Sequence, residues 1–223
     1  MFIKVPYISY LEMRKELVLV LLLSAVILSS INVFSLSPQT ISLYNGPTIG
    51  KLVSVTYDPT NGFIYAVDVQ HNDVVIFDPY NYSIIGTITV GVKPVYITYF
   101  NGYLYVVNQG SGTISVINPS NNKLVKTIYI GGSPSEVVLT NSGYIYVEDN
   151  GIEVFNQNWQ KVGTLLSGDS IQSLVYDPNT GLVYVLWSSL YSIGVTVSIV
   201  NGTEITDNTS IILYVPFKLV VGE

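Results

Sequence analysis

His71 is the single histidine of the 223-residue chain, and it lies between Asp68 and Asp73. An imidazole beside carboxylates is the pairing that general acid–base catalysis and metal coordination use. A metal centre needs several ligands, however, and the sequence contains no second His and no Cys. We therefore predict no metal site and no catalytic role, and we interpret His71 as a solvent-exposed loop residue that is available for binding.

Carboxylate and amide side chains recur at one place in the sequence pattern. Asp68, Asn108 and Asp149 each follow a short run of aromatic and β-branched residues that we predict to be a strand. If these strands are arranged radially, the three side chains meet at one mouth of a central channel, where their oxygens could bind a cation or sugar hydroxyls. The alternative is that they end the strands by forming Asx turns.

Aromatic and basic residues belong to the same predicted face. The chain contains 18 Tyr and 2 Trp, and Trp187 and Tyr191 follow a predicted strand on the side of His71. Their rings could stack on a sugar or a peptide, or they could pack against neighbouring strands. The candidate binding residues are Asp68, His71, Lys93, Asn108, Asp149, Trp187 and Tyr191.

The segments that must position these residues repeat with a period of about 40 residues. Residues 61–68, NGFIYAVD, return as residues 101–108, NGYLYVVN. Short apolar runs alternate with Asn-Gly and Asp-Pro or Asn-Pro turns, so each unit is predicted to contain four strands. Units of this length and content are typical of β-propeller blades. We predict an all-β propeller of roughly four blades plus partial terminal strands, incomplete or open.

The predicted blades do not complete a ring. They lie at about residues 50–90, 91–130, 131–167 and 168–213, with terminal strands at 40–44 and 214–221. Two terminal strands are too few for another blade, so irregular closure, a truncated product and closure with another chain all remain open. Because exposed strand edges are templates for association, we predict a homodimer that forms through open sheet edges.

The N-terminal residues indicate export. Arg14-Lys15 precede an apolar run from Leu17 to Phe34, which is the pattern of a secretory signal. We predict cleavage after Ser35, so residues 1–35 are a signal peptide and the remainder is extracellular or on the cell surface. The alternative is a retained membrane anchor, because 18 residues lie near the lower limit of a membrane span. Met13 is a second possible start.

Charge excludes one class of partner. Beyond residue 35 the chain has 6 Lys, no Arg and 13 acidic residues, a net charge of −7. Phosphate-backbone binding needs clustered Lys and Arg, so nucleic acid is not a predicted partner.

Three Asn-x-Ser/Thr sequons in predicted turns or strand edges are candidate glycosylation sites. They begin at Asn81, Asn201 and Asn208.

The strand segments YAVD, YVVN and YVED, at residues 65–68, 105–108 and 146–149, resemble the signature of the YVTN family of β-propeller repeats. The turn at 118–122, NPSNN, matches the same pattern, and the resemblance covers about residues 41–221. It implies an extracytoplasmic binding or surface role. Propeller lactonases and quinone-dependent dehydrogenases share this architecture, so an enzyme with its site at the channel mouth is the alternative.

Those enzyme chemistries need clustered His, Arg or carboxylate groups in the channel. A chain with one His, and with no Arg beyond residue 35, is poorly equipped for them. We therefore predict an exported, noncatalytic surface binding or scaffold module, without a cofactor, for protein or glycan partners.

Overall fold

The computed structural model describes residues 48–81, 83–188 and 195–211, all within the structural unit that spans residues 46–223. The predicted signal peptide, the terminal strands at 40–44 and 214–221, and Tyr191 lie outside the described residues. Within that part of the chain, no helix has the length and apolarity that a membrane span requires.

The described residues form four antiparallel sheets of four strands each, and the strands of every sheet are neighbours in chain order. The first sheet contains β1 (Leu52–Tyr57), β2 (Ile64–Asp68), β3 (Asp73–Asp78) and β4 (Ser83–Thr89). The second contains β5 (Pro94–Phe100), β6 (Tyr103–Asn108), β7 (Thr113–Asn118) and β8 (Lys123–Tyr129). The third contains β9 (Glu136–Leu139), β10 (Ile145–Glu148), β11 (Ile152–Phe155) and β12 (Lys161–Leu165). The fourth contains β13 (Ser170–Asp177), β14 (Leu182–Ser188), β15 (Val195–Asn201) and β16 (Glu204–Ile211). The prediction of an all-β propeller with four blades is confirmed.

Turn residues set these hairpins. Between β5 and β6, Asn101 and Gly102 have φ angles of 46° and 83°. Two consecutive positive φ values match the right-handed twist of the flanking strands, and Asn-Gly adopts them at little cost. Before β2, Asn61 accepts a hydrogen bond from the Phe63 amide at 2.9 Å, which closes an Asx turn. The local sequence thus fixes where each strand ends.

Consecutive sheets pack face to face, with the first strands β1, β5, β9 and β13 in successive contact. We call the face of a sheet that points toward the preceding sheet its leading face, and the opposite face its trailing face. At the first junction the trailing face of the first sheet buries Tyr65, Val67, Val74 and Ile76. The leading face of the second sheet covers them with Ile97, Leu104, Val106 and Ile117. The two later junctions repeat this arrangement.

In the first and third sheets, a tyrosine at the same position reaches a turn of the next sheet. The Tyr65 hydroxyl donates to Asn122 Oδ1 at 2.8 Å, and the Tyr146 hydroxyl donates to the Gly202 carbonyl at 3.0 Å. The accepting turn residues have positive φ, 54° at Asn122 and 64° at Gly202. Burial raises the pKa of Tyr146 to about 12. These bonds fix the alignment of one sheet on the next.

The two ends of the arc differ from its interior. No packing comparable to that between consecutive sheets joins the first and fourth sheets in the described residues. Val55 and Tyr57 of β1 are 64% and 53% exposed, whereas Ile97, at the position of Val55 in the second sheet, is 2% exposed. The described sheets therefore form an open arc.

Candidate functional site

Two rims bound the arc, because antiparallel strands place alternate connections at opposite ends. The loop rim contains the connection from the second to the third strand of each sheet and the link from each sheet to the next. The hairpin rim contains the other turns. His71 and Lys93 are exposed on the loop rim, whereas Asp68 and Asn108 are buried at the strand ends beneath it.

Asp68 is 1% exposed, yet it receives several hydrogen bonds. Its carboxylate accepts from the amides of Gly50 at 2.6 Å and Gln70 at 2.9 Å. Its Oδ2 also lies 2.8 Å from His71 Nδ1. Burial by itself would raise the pKa of Asp68, but the hydrogen bonds from His71 and the backbone amides lower it below its ordinary value. The His71 side chain is 45% exposed, so the buried carboxylate orients a ring that faces solvent.

Asp73 is shifted in the opposite direction. Burial, followed by the nearby charge of Asp68, raises the pKa of Asp73, and its Oδ1 is buried without a hydrogen-bond partner among the described residues. Two carboxyl groups whose pKa values are displaced apart are a pattern found in acid–base sites. In the part of the chain that the structure describes, no three His, Asp or Glu side chains are grouped so as to hold a metal ion.

The other strand-end residues make the same kind of contact as Asp68. Asn108 accepts from the Gly91 amide at 3.1 Å, and Asp149 accepts from the Ser133 amide at 3.1 Å. In the first three sheets, this side chain holds the segment that leads into the first strand. A Cβ atom on Gly91 would lie 2.6 Å from the Asn108 side chain, so this close approach requires glycine. Asp68 also closes an Asx turn, as the alternative predicts, by accepting from the Gln70 amide. Asn108 and Asp149 instead bind the link that precedes their sheet.

Lys93 joins His71 on a hydrogen-bonded stretch of the loop rim. The Lys93 amide donates to Asn72 Oδ1 at 2.7 Å, and its carbonyl accepts from the Gln109 amide at 3.0 Å. Trp187 instead packs in the junction between the third and fourth sheets. Its Nε1 donates to Ser198 Oγ at 2.7 Å, as the packing alternative requires.

Glu136 is an ionisable group that sequence reasoning did not single out. It is paired across the strands with Glu148. Burial raises the pKa of Glu136, and hydrogen bonds from the Leu174 amide and the Tyr96 hydroxyl partly oppose this rise. In the first sheet Ser54 occupies the same register position, and its Oγ accepts from the Ile97 amide at 3.2 Å. The signal that the sequence offered was a charged residue at the register position where the first sheet has Ser54. The contacts of Glu136 at this position join neighbouring sheets.

Glu148 carries a second raised pKa. Burial is the main cause, and the charges of Asp149 and Glu136 add to it. Burial and the nearby Glu136 charge likewise raise the pKa of Tyr96 to about 12. The first two strands of the third sheet, β9 and β10, therefore hold two carboxyl groups that are easier to protonate than usual.

A groove of about 280 Å³ opens on the hairpin rim between the second and third sheets. Its walls carry the rings of Tyr105 and Trp159, whose centroids are 6.2 Å apart. Polar groups complete the lining. They are Asn101, Lys126, Thr140, Asn141 and Gln157.

Trp159 occupies the turn position that Asn122 and Gly202 hold in the neighbouring sheets, and its φ is 61°. A bulky residue rarely adopts this conformation. The Trp159 amide donates to the Asn156 carbonyl at 2.8 Å, which closes the turn. The Trp159 ring packs against the ring of Tyr105. At the other two junctions, the tyrosine in this position donates a hydrogen bond to the turn instead. The sequence identified residues 156–159 only as a turn, because the groove needs side chains from two sheets.

Comparisons with known proteins support the architecture. No protein-family model matches the chain, and no curated protein matches it. Hydrazine synthase of Kuenenia stuttgartiensis superposes with a TM-score of 0.62 at 19% identity, over 76% of this chain and 53% of that one. The Cps50 (Swd1) β-propeller domain of Myceliophteria thermophila superposes with a TM-score of 0.61 at 13% identity, over 75% and 58%.

Virginiamycin B lyase of Staphylococcus aureus is a third similar structure, with a TM-score of 0.56 at 12% identity over 74% of this chain and 56% of that one. The chain thus spans little more than half the length of these three proteins. Identities this low establish the propeller fold alone. The resemblance to the YVTN family is not confirmed by any family model and stays a prediction.

Proposed function

We propose that this chain is an exported, noncatalytic β-propeller module that binds a glycan in the groove on the hairpin rim. The single observation that carries the proposal is the pairing of Tyr105 and Trp159 with three amide side chains around one open groove. A protein segment rich in hydroxyl and amide groups is the second kind of ligand with matching chemistry.

The lining suits a sugar because a sugar ring has an apolar face of C–H groups and an edge of hydroxyl groups. Aromatic rings offer apolar area to the first. The amides of Asn101, Asn141 and Gln157 both donate and accept, as hydroxyl groups do. A volume of about 280 Å³ is at the small end of ligand sites and suits a single sugar residue. The net charge of −7 beyond residue 35 disfavours anionic ligands.

A noncatalytic role agrees with how the ionisable groups are used. Asp68 holds the Gly50 and Gln70 amides, and Glu136 accepts from Leu174 and Tyr96. Each carboxylate is thus part of the packing of strands and sheets. These hydrogen bonds satisfy buried polar groups and hold strands and sheets together.

The test is a glycan array followed by calorimetric titration of the best neutral sugar. Trp159→Gly removes the ring and keeps a residue that accepts positive φ, so binding should weaken by roughly tenfold, the loss of one aromatic contact. Tyr129→Ala, which removes a ring that is 79% exposed on β8, should leave the affinity unchanged. Binding that survives Trp159→Gly, or the absence of any sugar ligand, contradicts the proposal.

A hydrolase at the loop rim is the second candidate, and the opposite pKa shifts of Asp68 and Asp73 beside His71 favour it. Screening with lactone and ester substrates tests it. Turnover that is lost in both His71→Gln and Asp73→Asn would replace the binding role with an enzymatic one.

Export is part of the proposal and rests on the basic and apolar pattern of residues 14–34. Intact-mass measurement of protein from its native source should give the mass of residues 36–223, with additional mass if the sequons are glycosylated. Asn81, Asn201 and Asn208 are all exposed, so each is accessible as an acceptor. The unmodified mass of the full chain would contradict cleavage.

A further inference from the structure

The arc ends in two surfaces that the interior of the arc uses for packing. At each junction the leading face of one sheet covers the trailing face of the sheet before it. The second, third and fourth sheets therefore have covered leading faces, and the first, second and third have covered trailing faces. The leading face of the first sheet and the trailing face of the fourth have no such partner among the described residues.

The leading face of the first sheet has the same apolar design as the covered ones. Val55, in its first strand, is 64% exposed, whereas Ala66 beside it is 3% exposed. Strand register places Val55, Ile64, Ala66 and Phe77 where the second sheet has Ile97, Leu104, Val106 and Ile117. The first set lines an open depression of about 420 Å³ with Leu52 and Val53. Contiguous apolar surface of this kind marks an interaction site.

The trailing face of the fourth sheet is apolar at the matching positions. Tyr184, Leu186, Val197 and Ile199 are half-buried, whereas Tyr146 at the position of Tyr184 in the third sheet is 1% exposed. Val175 is 57% exposed, but its equivalent Val138 is 8% exposed within a junction.

We propose that the leading face of the first sheet docks on the trailing face of the fourth sheet of a second copy of this chain, and reciprocally, to form a closed ring of eight blades. The occupant is a second copy because the chain makes this junction three times within itself, from the same register positions. The inference goes beyond the proposed glycan site, which lies wholly between two sheets of one chain.

Polar positions on the two faces also correspond. Ser173 lies in the register of Ser54, since it pairs with Leu186 as Ser54 pairs with Val67. Ser54 accepts from the Ile97 amide, so Ser173 would accept from the Val55 amide of the second copy. Tyr184 lies in the register of Tyr65, so its hydroxyl would reach the turn that follows Asp78 of the second copy.

The proposed contact is between sheet faces and is head to tail, unlike the strand-edge contact that the sequence suggested. Two such contacts related by a twofold axis close a ring, whereas a rotation that does not close gives an open filament. Eight blades are within the range that propellers adopt. A discrete dimer is therefore the expected species.

The first measurement is the mass of the whole protein by light scattering over a concentration series, with twice 24.5 kDa expected. Val55→Asp changes the leading face, Val175→Asp changes the trailing face, and Val125→Asp is the matched control on β8, where Val125 is 54% exposed. Placing an unpaired charge in an apolar contact should raise the dimer Kd by roughly 100-fold in each of the first two variants. The control variant should remain dimeric, and circular dichroism verifies that all three are folded.

A mixing experiment distinguishes head-to-tail faces from a symmetric contact. When Val55→Asp and Val175→Asp are mixed, one junction carries both substitutions and the other carries neither, so mixed dimers should form although each variant alone is monomeric. A monomer at every concentration, including one whose end faces are covered by its own terminal residues, overturns the proposal. Polymers that grow with concentration, or dimers that both substitutions leave intact, overturn it as well.

Discussion

Replacing Tyr146 by Phe tests whether the tyrosine hydrogen bonds hold neighbouring sheets together. The Tyr146 side chain is 1% exposed, and its hydroxyl donates to the Gly202 carbonyl at 3.0 Å in the β15–β16 turn. Phe keeps the ring and its apolar contacts. The substitution removes only the hydroxyl donor. It leaves the Gly202 carbonyl without that hydrogen bond at the junction of the third and fourth sheets.

The expected loss of unfolding free energy is about 2 kcal/mol, since an orphaned buried acceptor costs about 1–3 kcal/mol. For a domain of this size, 1 kcal/mol lowers Tm by about 2–4 °C, so the melting temperature should fall by roughly 4–8 °C. Urea unfolding followed by tryptophan fluorescence measures the change, and Trp187 lies in the same junction. The dependence of the free energy on urea should not change, because the same surface is exposed on unfolding.

Tyr80→Phe is the matched control, because Tyr80 is 85% exposed and should change stability by less than about 0.5 kcal/mol. The pH dependence gives a second test. Burial raises the pKa of Tyr146 from 10.0 to about 12, so folding keeps this hydroxyl protonated where the unfolded chain ionises. The wild-type protein therefore loses stability as pH rises from 10 toward 12, and its advantage over the Phe variant should shrink. An unchanged midpoint in Tyr146→Phe refutes the reasoning.

Three further substitutions test the carboxyl groups and a strained turn. Asp68→Ala should cost about 3 kcal/mol at pH 7, because several buried donors lose an ionised acceptor; since its pKa is lowered, this difference should disappear as pH falls through that pKa. Glu148→Gln should stabilise the protein at pH 7, because the raised pKa of Glu148 means that the wild type gains stability only as pH falls toward 4.5. Urea unfolding midpoints between pH 3 and 7 test Asp68→Ala and Glu148→Gln. Midpoints that run parallel to those of the wild type across this pH range would contradict both predictions. Gly151→Ala should cost about 2–3 kcal/mol by thermal melting, because φ is 120° and a Cβ would lie 2.6 Å from the Leu166 carbonyl. Gly86→Ala, with no atom near its Cβ, is the control, and equal melting temperatures would contradict the strain argument.

The propeller could be predicted because its signals are local. Alternation along residues 63–68 specifies which side chains share a sheet face, and the Asn101-Gly102 pair specifies a hairpin through backbone angles that few other residues adopt. These signals act within four to eight residues and recur in each unit. Low identity to known propellers therefore did not obscure the fold.

The candidate binding residues were only partly accessible to this reasoning. The sequence placed Asp68, Asn108 and Asp149 at equivalent strand ends, and the structure agrees in placing them so. Whether such oxygens point into a channel or onto the backbone depends on how closely the preceding segment approaches. That approach is 2.6 Å from Gly50 to Asp68, and no local pattern encodes it.

The repeat, the strand order within each sheet and the lack of a cluster of His, Cys or Arg beyond residue 35 can all be predicted from the sequence. Which surfaces lack a partner among the described residues follows from how the sheets stack. The groove combines Tyr105 with Trp159, 54 positions apart. The sheet faces that have no partner sheet among the described residues belong to the two ends of the arc. Local pattern specifies a face as apolar, but burial depends on which sheet is stacked against it. That stacking is a contact between units about 40 residues apart, and the alternation of residues along one strand does not predict it.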